Sequence, residues 1–438
     1  MKTTVKQAGT GLLAVICLFL PEAAAPMEIQ GSLNVRDFGA AGDGETIETA
    51  AIQAAIDAAG AAWMRENDGD VNEPGDPAIR ARQVRVCVPV GTYLTGSLFL
   101  RSGVELHLEE GSVLKASPVP ADYNAEDAFA QNKASPRDDD NTSGGHLILC
   151  VGQEWASITG PGRIDGNAPA FLRLPDGSHP RSKHGIPWRP AQLLWFCECR
   201  NIAIRDVEIA DAPYWSCFLH GCEDVAVERI RIHTIRNPHT YNGDGLDIDS
   251  CRRVRVRGCD ISTADDSLAL RADSERLLRS GDCADVIVED CVLSSDCNAI
   301  RLGVGNGTIR DCVFRRIRIL STRVAVNAVG AWSRPEHGVD IRHVSFEDLD
   351  ISARVFCKFY YRYATGSVFE DVSFRNVRGK VREPSIFEDS QNRPFRTLRF
   401  ENVRIDGETS PRVLPNDAAH IEPLGTEAVL AIWGDRIQ

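Results

Sequence analysis

The feature that most constrains this chain is a short motif that keeps returning. "NIAIRDVEI" from Asn201, "DVAVERIRI" from Asp224, "RVRVRGCDI" from Arg253 and "DVIVEDCVL" from Asp285 share one shape. "GTIRDCVF" from Gly307, "DVSFRNVRG" from Asp371 and "TLRFENVRI" from Thr397 are variants of it. Each alternates apolar and polar residues over five positions, the pattern of a half-buried strand, then turns at a polar pair into a second short strand. With Val207, Ile230, Cys259, Cys291, Cys312, Val377 and Val403 taken as equivalents, the intervals are 23, 29, 32, 21, 65 and 26 residues. The interval of 65 hides one further turn, near "HVSFEDLDI" (His343 to Ile351). This period is too short for a propeller blade, and the Leu/Asn ladder of leucine-rich repeats is missing. A sandwich of unrelated strands is the competing architecture. The repeat favours an all-β solenoid, a single-stranded parallel β-helix in which each coil buries its inward side chains against the coils above and below.

A solenoid must cover its ends, because open strand edges template aggregation. "TIETAAIQAAIDAAGAA" (Thr46 to Ala62) is an Ala-rich helical pattern placed to be a short N-terminal capping helix. Inserts at Trp63 to Gln83, Ser117 to His146 and Phe171 to Arg189 are rich in Gly, Pro, Asp and Asn and read as loops. Loops of that length are more often functional walls than connectors. "HPRSKHGIPWRP" (His179 to Pro190) combines cations with a Trp, a mixture suited to gripping a sugar.

The net charge of −13 argues against nucleic acid or an anionic membrane surface as partner, without excluding an acidic substrate in a locally basic cleft. Lys2 and Lys6, the apolar "GLLAVICLFL" (Gly11 to Leu20) and the small residues of "EAAAP" read as a signal peptide over residues 1–25. Export to the periplasm or the medium is therefore expected, with residues 26–438 as the β-helical domain. No stretch is long enough to span a membrane. Ile16, bulky ahead of Cys17, argues against a lipoprotein. Removing Cys17 from the 14 cysteines leaves an odd number, so complete intramolecular pairing is impossible. Cys259, Cys291 and Cys312 follow alternating strands, where Cys acts as a small hydrophobe. No C-x-x-C is present, which leaves a zinc site without support.

Two acidic clusters stand 21 residues apart: Asp244, Asp247 and Asp249 in "NGDGLDIDS", then the adjacent Asp265 and Asp266 in "DDSLALRAD". In a solenoid, positions one coil apart stack at about 4.8 Å, so Asp244 comes beside the Asp265–Asp266 pair. Crowded carboxylates raise the pKa of at least one member, which supplies a protonated acid and an ionised base at one pH. Glycosidic cleavage needs that pair. Turn residues, a calcium loop and a surface acidic ladder are the plainer readings. The calcium loop fails because Leu246 takes a ligand position, and the surface ladder because each cluster borders an inward-facing strand.

From about Leu33 to about Gly303 the chain resembles glycoside hydrolase family 28, the polygalacturonase-type pectin hydrolases. "NVRDFGAAGDG" resembles the family's lead-in, "VPVGTYLTGSLFLRSGVELHLEEGSVLKAS" its first coils and "ITGPGRIDGN" a later turn. "NGDGLDIDSC" matches its Asn-Thr-Asp-Gly stretch with Gly243 for Thr, and "ADDSLALRA" its Gly-Asp-Asp with Ala264 for Gly. The resemblance implies a right-handed parallel β-helix and inversion in a single displacement, with no metal or other cofactor. It implies Asp265 as general acid, Asp244 and Asp266 as the residues that hold and deprotonate water, and Asn242 as an orienting residue.

The departures lie further on. "CNAIRLG" puts Asn298 where the family has His, and only "AVN" (Ala325 to Asn327) aligns with its substrate-gripping Arg-Ile-Lys. Arg301, Arg323, Lys358 and Arg362 are the candidate replacements, and Arg301 has the alternative of pairing with an acidic neighbour. Tyr rings in "KFYYRY" (Lys358 to Tyr363) offer a face to a sugar. For His220 a structural role is expected. The function that follows is an exported, monomeric, inverting hydrolase of pectin-type poly- or oligosaccharides. A polysaccharide lyase and a non-catalytic glycan-binding solenoid are the alternatives.

Overall fold

The computed structural model describes residues 32–67, 82–125, 127–132, 143–172, 188–234, 242–279, 281–331, 338–360, 367–388, 396–407, 412–414 and 421–424. The signal-peptide segment and Arg362 lie outside these residues. Among the described residues every strand pairing is parallel, and strands away from the ends pair with a counterpart one coil earlier and one coil later, as a parallel β-helix requires. No helix among them is long and apolar enough to cross a membrane.

Three rows show how the sequence produces the coil. One is a buried row in which Ile204, Val227, Val256, Val288, Phe314, Phe346, Phe374 and Phe400 are cross-strand partners in succession. Its Phe rings stack at 5.0, 4.6 and 5.2 Å. The second row is a turn. Asp206, Arg229, Gly258, Asp290, Arg316, Asp348, Asn376 and Asn402 all have positive φ, a conformation that Gly, Asn and Asp tolerate best. Each precedes a buried apolar residue: Val207, Ile230, Cys259, Cys291, Ile317, Leu349, Val377 and Val403. Backbone bonds from Arg318 to Cys291, Asp350 to Ile317 and Arg378 to Leu349 stack these positions directly.

This corrects the assignment of Cys312, whose partners are Val286 and Val344 in mid-strand; Ile317 is the true equivalent of Cys291. Leu349, inside "HVSFEDLDI", is the turn hidden in the long interval. The third row is a column of buried thiols, Cys199, Cys222, Cys251 and Cys283, carried on successive coils. No disulfide joins the thirteen described cysteines.

The capping helix runs over Thr49–Asn67, starting three residues later and ending five residues later than the Ala-rich pattern suggested. Its buried stripe, Ile52, Ala55, Ile56, Ala59, Ala62 and Trp63, explains the extension. Trp63 completes that stripe by lying on Gly103, where a Cβ would stand 1.8 Å from the indole. Trp63 is thus core rather than the start of a loop.

Candidate active site

The site is built on the outward faces of consecutive strands. In Leu246–Asp249, Leu246 and Ile248 enter the core, so period-2 alternation turns Asp247 and Asp249 outward. The next coil supplies Leu268–Ala272, with Ala269 opposite Asp247 and Arg271 opposite Asp249. Arg301 then stands opposite Ala269, Asn327 opposite Arg301 and Lys358 opposite Asn327. The segments leading into these strands carry Asp244, the Asp265–Asp266 pair and Cys297.

Asp244 meets the pair as the spacing predicts: the Asp266 amide donates to Asp244 Oδ1 at 3.3 Å. Gly245 makes the approach possible, since a Cβ there would lie 2.5 Å from the Ser267 carbonyl oxygen. Asp266 is buried and accepts from both sides, from Asn298 Nδ2 and from Arg301 at 2.9 Å. Arg301 is therefore in the groove and paired with an acidic neighbour, which was its alternative reading. The Asp265 backbone is fixed by hydroxyls of Thr263 and Ser295 donating to its carbonyl. Burial, then the neighbouring Asp266, push the Asp265 carboxyl up to about 7, while the Cys297 thiol, Arg301 and Arg323 pull against that rise. Burial and the charges of Asp247, Asp265 and Asp266 push Asp244 well above the carboxylate range. Asp247 and Asp249 reach about 7 through burial, moderated by Arg271.

Two residues packed among these carboxylates were missed in the sequence. Arg271 donates to Asp247 at 3.1 Å, approaches Asp249 at 3.8 Å and lies 4.4 Å over the Trp215 ring. Cys297 receives Arg323 at 2.6 Å and Asn298 at 3.2 Å. Donor atoms of Asp265, Asp266 and Cys297 lie within 4.8 Å of one another, a spacing a soft cation would accept. Protein cations and amides already occupy Asp266 and Cys297, so these three suit an acid pair better than a metal. Lys358 sits 4.3 Å over the Tyr360 ring, on the groove row but away from the carboxylates. Asn242, partly exposed, stands two residues ahead of Asp244.

The structural role expected of His220 holds, and the reading of one insert changes. His220 is buried, stacks on Phe218 at 4.9 Å and bonds the Asp273 carbonyl at 3.1 Å, as a structural histidine does. In "HPRSKHGIPWRP" the described Trp188 packs on Tyr123 and Phe171, and fully buried Arg189 donates to the Pro213 carbonyl. Both pack inward, and His179 to Pro187 of the segment lie outside the described residues.

The sequence pattern of glycosyl hydrolases family 28 matches residues 111–285, and that of rhamnogalacturonase A/epimerase, pectate lyase-like, matches residues 32–138. Over residues 111–285 the chain is similar to family 28, polygalacturonase-like and at a distance. A probable polygalacturonase of Vitis vinifera is 26% identical over 253 residues, covering 55% of this chain and 44% of that protein. The exo-poly-alpha-D-galacturonosidase of Dickeya chrysanthemi is 26% identical over 284 residues, covering 55% and 42%. The chain thus spans less than half the length of those relatives. Its fold matches the Thermotoga maritima exopolygalacturonase (TM-score 0.61, 21% identity, 89% of this chain and 90% of that one). It also matches the polygalacturonase of Erwinia carotovora (0.63, 14%, 92% and 100%). The family 28 match contains Asp244, Asp265, Asp266 and Arg271 and stops before Asn298 and Arg301, where the motifs depart.

Proposed function

We propose that this protein is a family 28-type, exported inverting hydrolase of glycosidic bonds in pectin-type polysaccharides. The observation that carries the reading is the stacking of Asp244 against Asp265–Asp266, with Asp265 lifted to about 7 and Asp266 paired with Arg301. A carboxyl so raised holds a proton at mildly acidic pH and can give it to the leaving oxygen. Asp266, steadied by Arg301 and Asn298, takes a proton from the water that Asp244 helps to hold. That water's oxygen bonds to the anomeric carbon as the glycosidic C–O bond breaks, so one displacement inverts the centre.

The position aligned with the family's Lys is Asn327, yet cations flank it on the same row, Arg301 one coil before and Lys358 one coil after. That placement supports acidic sugars as substrate. Proton NMR of the first product from polygalacturonate and from rhamnogalacturonan oligosaccharides tests the proposal. An inverted anomer from either supports it. A retained anomer, an unsaturated product or no turnover by folded protein refutes it.

A further inference from the structure

The groove is not the same on its two sides. Towards the earlier coils, the row through Asp247 continues as Phe218, Trp195 and Leu149, exposed by 8, 2 and 1%. Phe129 closes over Trp195 at 6.0 Å and meets Phe99 at 6.3 Å. Trp215 stacks flat on Tyr214 at 5.1 Å and takes the edge of Phe218 at 5.4 Å. This aromatic cluster lies outside the coil's own core, on the face where the groove would otherwise run. Towards the later coils the same row reads Ala269, Arg301, Asn327 and Lys358, with Arg301 and Lys358 partly exposed. On the earlier side the row is covered by interlocked rings, and only the later side presents partly exposed side chains along which a polysaccharide can lie.

A second observation concerns polar atoms at the foot of the wall. Among the described residues, Asp247 Oδ2 and Trp215 Nε1 are buried without a protein hydrogen-bond partner. Arg271 joins them, donating to Asp247 and lying over Trp215. Farther along the open side, Asn327 Oδ1 is in the same condition. Buried polar atoms in native proteins find partners. A hydroxyl that only a terminal sugar unit possesses would supply one, and a site built to bond a hydroxyl rejects units lacking it by about 10⁴-fold.

We infer that the wall of Trp215, Phe218, Trp195 and Phe129 closes one end of the groove. The protein then takes an acidic polysaccharide by a chain end, seating the terminal unit against Trp215 and Asp247 and laying the rest over Arg301, Asn327 and Lys358. This rests on the proposed function and specifies its mode. The test titrates Asp265→Asn protein calorimetrically with polygalacturonate fractions of increasing chain length, and follows wild-type digestion of the longest fraction by size. End binding gives one protein per chain at every length, and digestion releases only the shortest product from the first time point. Stoichiometry that rises with chain length, or an early ladder of intermediate oligomers, overturns the closed end while leaving the hydrolase intact. Neither binding nor cleavage of any fraction by folded protein overturns the substrate reading and this inference with it.

Discussion

Asp265 offers the sharpest test, because its environment fixes the direction of every outcome. Its carboxyl is carried from 3.8 to about 7, mainly by burial and then by Asp266. At 1.36 kcal/mol per unit, that is roughly 4 kcal/mol in favour of the protonated form. The acid is then about 99% protonated at pH 5 and about 10% at pH 8. For a general acid, the pH profile of kcat/KM should show an alkaline limb with a midpoint near 7. Initial rates of reducing-end release on polygalacturonate, from pH 4 to 9, measure it. Asp265→Asn should cost about 10²-fold or more and erase the limb. Arg323→Gln supplies the sign check. Arg323 reaches Asp265 through the Cys297 thiol, and both of them lower the Asp265 pKa. Removing that cation should move the limb to higher pH, by less than about 1 unit because the charge is relayed rather than adjacent. A limb that moves down, or one that survives in Asp265→Asn, would show that some other group titrates.

Two further outcomes follow from packing and charge. Arg301→Met should destabilise by about 3–5 kcal/mol, because Asp266 is left buried beside carboxylates without its cation. In the Arg301→Met, Asp266→Asn double variant, urea denaturation should recover about 0.5–3 kcal/mol relative to the summed single losses; simple additivity would refute the coupling. Phe374→Ala, which empties a site between Phe346 and Phe400, should cost about 3–5 kcal/mol in the same assay. A loss below about 1 kcal/mol there would mean the Phe column collapses to fill the gap.

The coil and the three central carboxylates were readable because both are local patterns repeated at coil spacing. Alternation marked the inward face, and the interval between the acidic motifs set Asp244 beside Asp265–Asp266. Cys312 was misplaced for a physical reason. Each coil has two left-handed positions, exemplified by Asp285 and Asp290, and "DC" suits either; Asp311 takes the first and Asp290 the second. Arg271, Cys297 and Trp215 stayed hidden because their roles come from neighbours on other coils, which no local pattern encodes. Trp188 and Arg189 turned out to pack inward because composition does not tell a wall's inner packing from its wetted face.

The thiol column has a consequence for how this chain must fold. Burial pushes Cys199, Cys222, Cys251 and Cys283 well above the ordinary thiol range, so in the finished coil they are held as inert S–H groups. Before the coils stack, the same side chains are ordinary, reactive cysteines. Cys150 and Cys199, whose sulfurs end 3.6 Å apart, are among those that can be captured prematurely. In an oxidising compartment, stacking and thiol oxidation therefore race. The yield of native protein is set by which step finishes first, and a reductant that leaves the mature coil untouched can still decide how much of it forms.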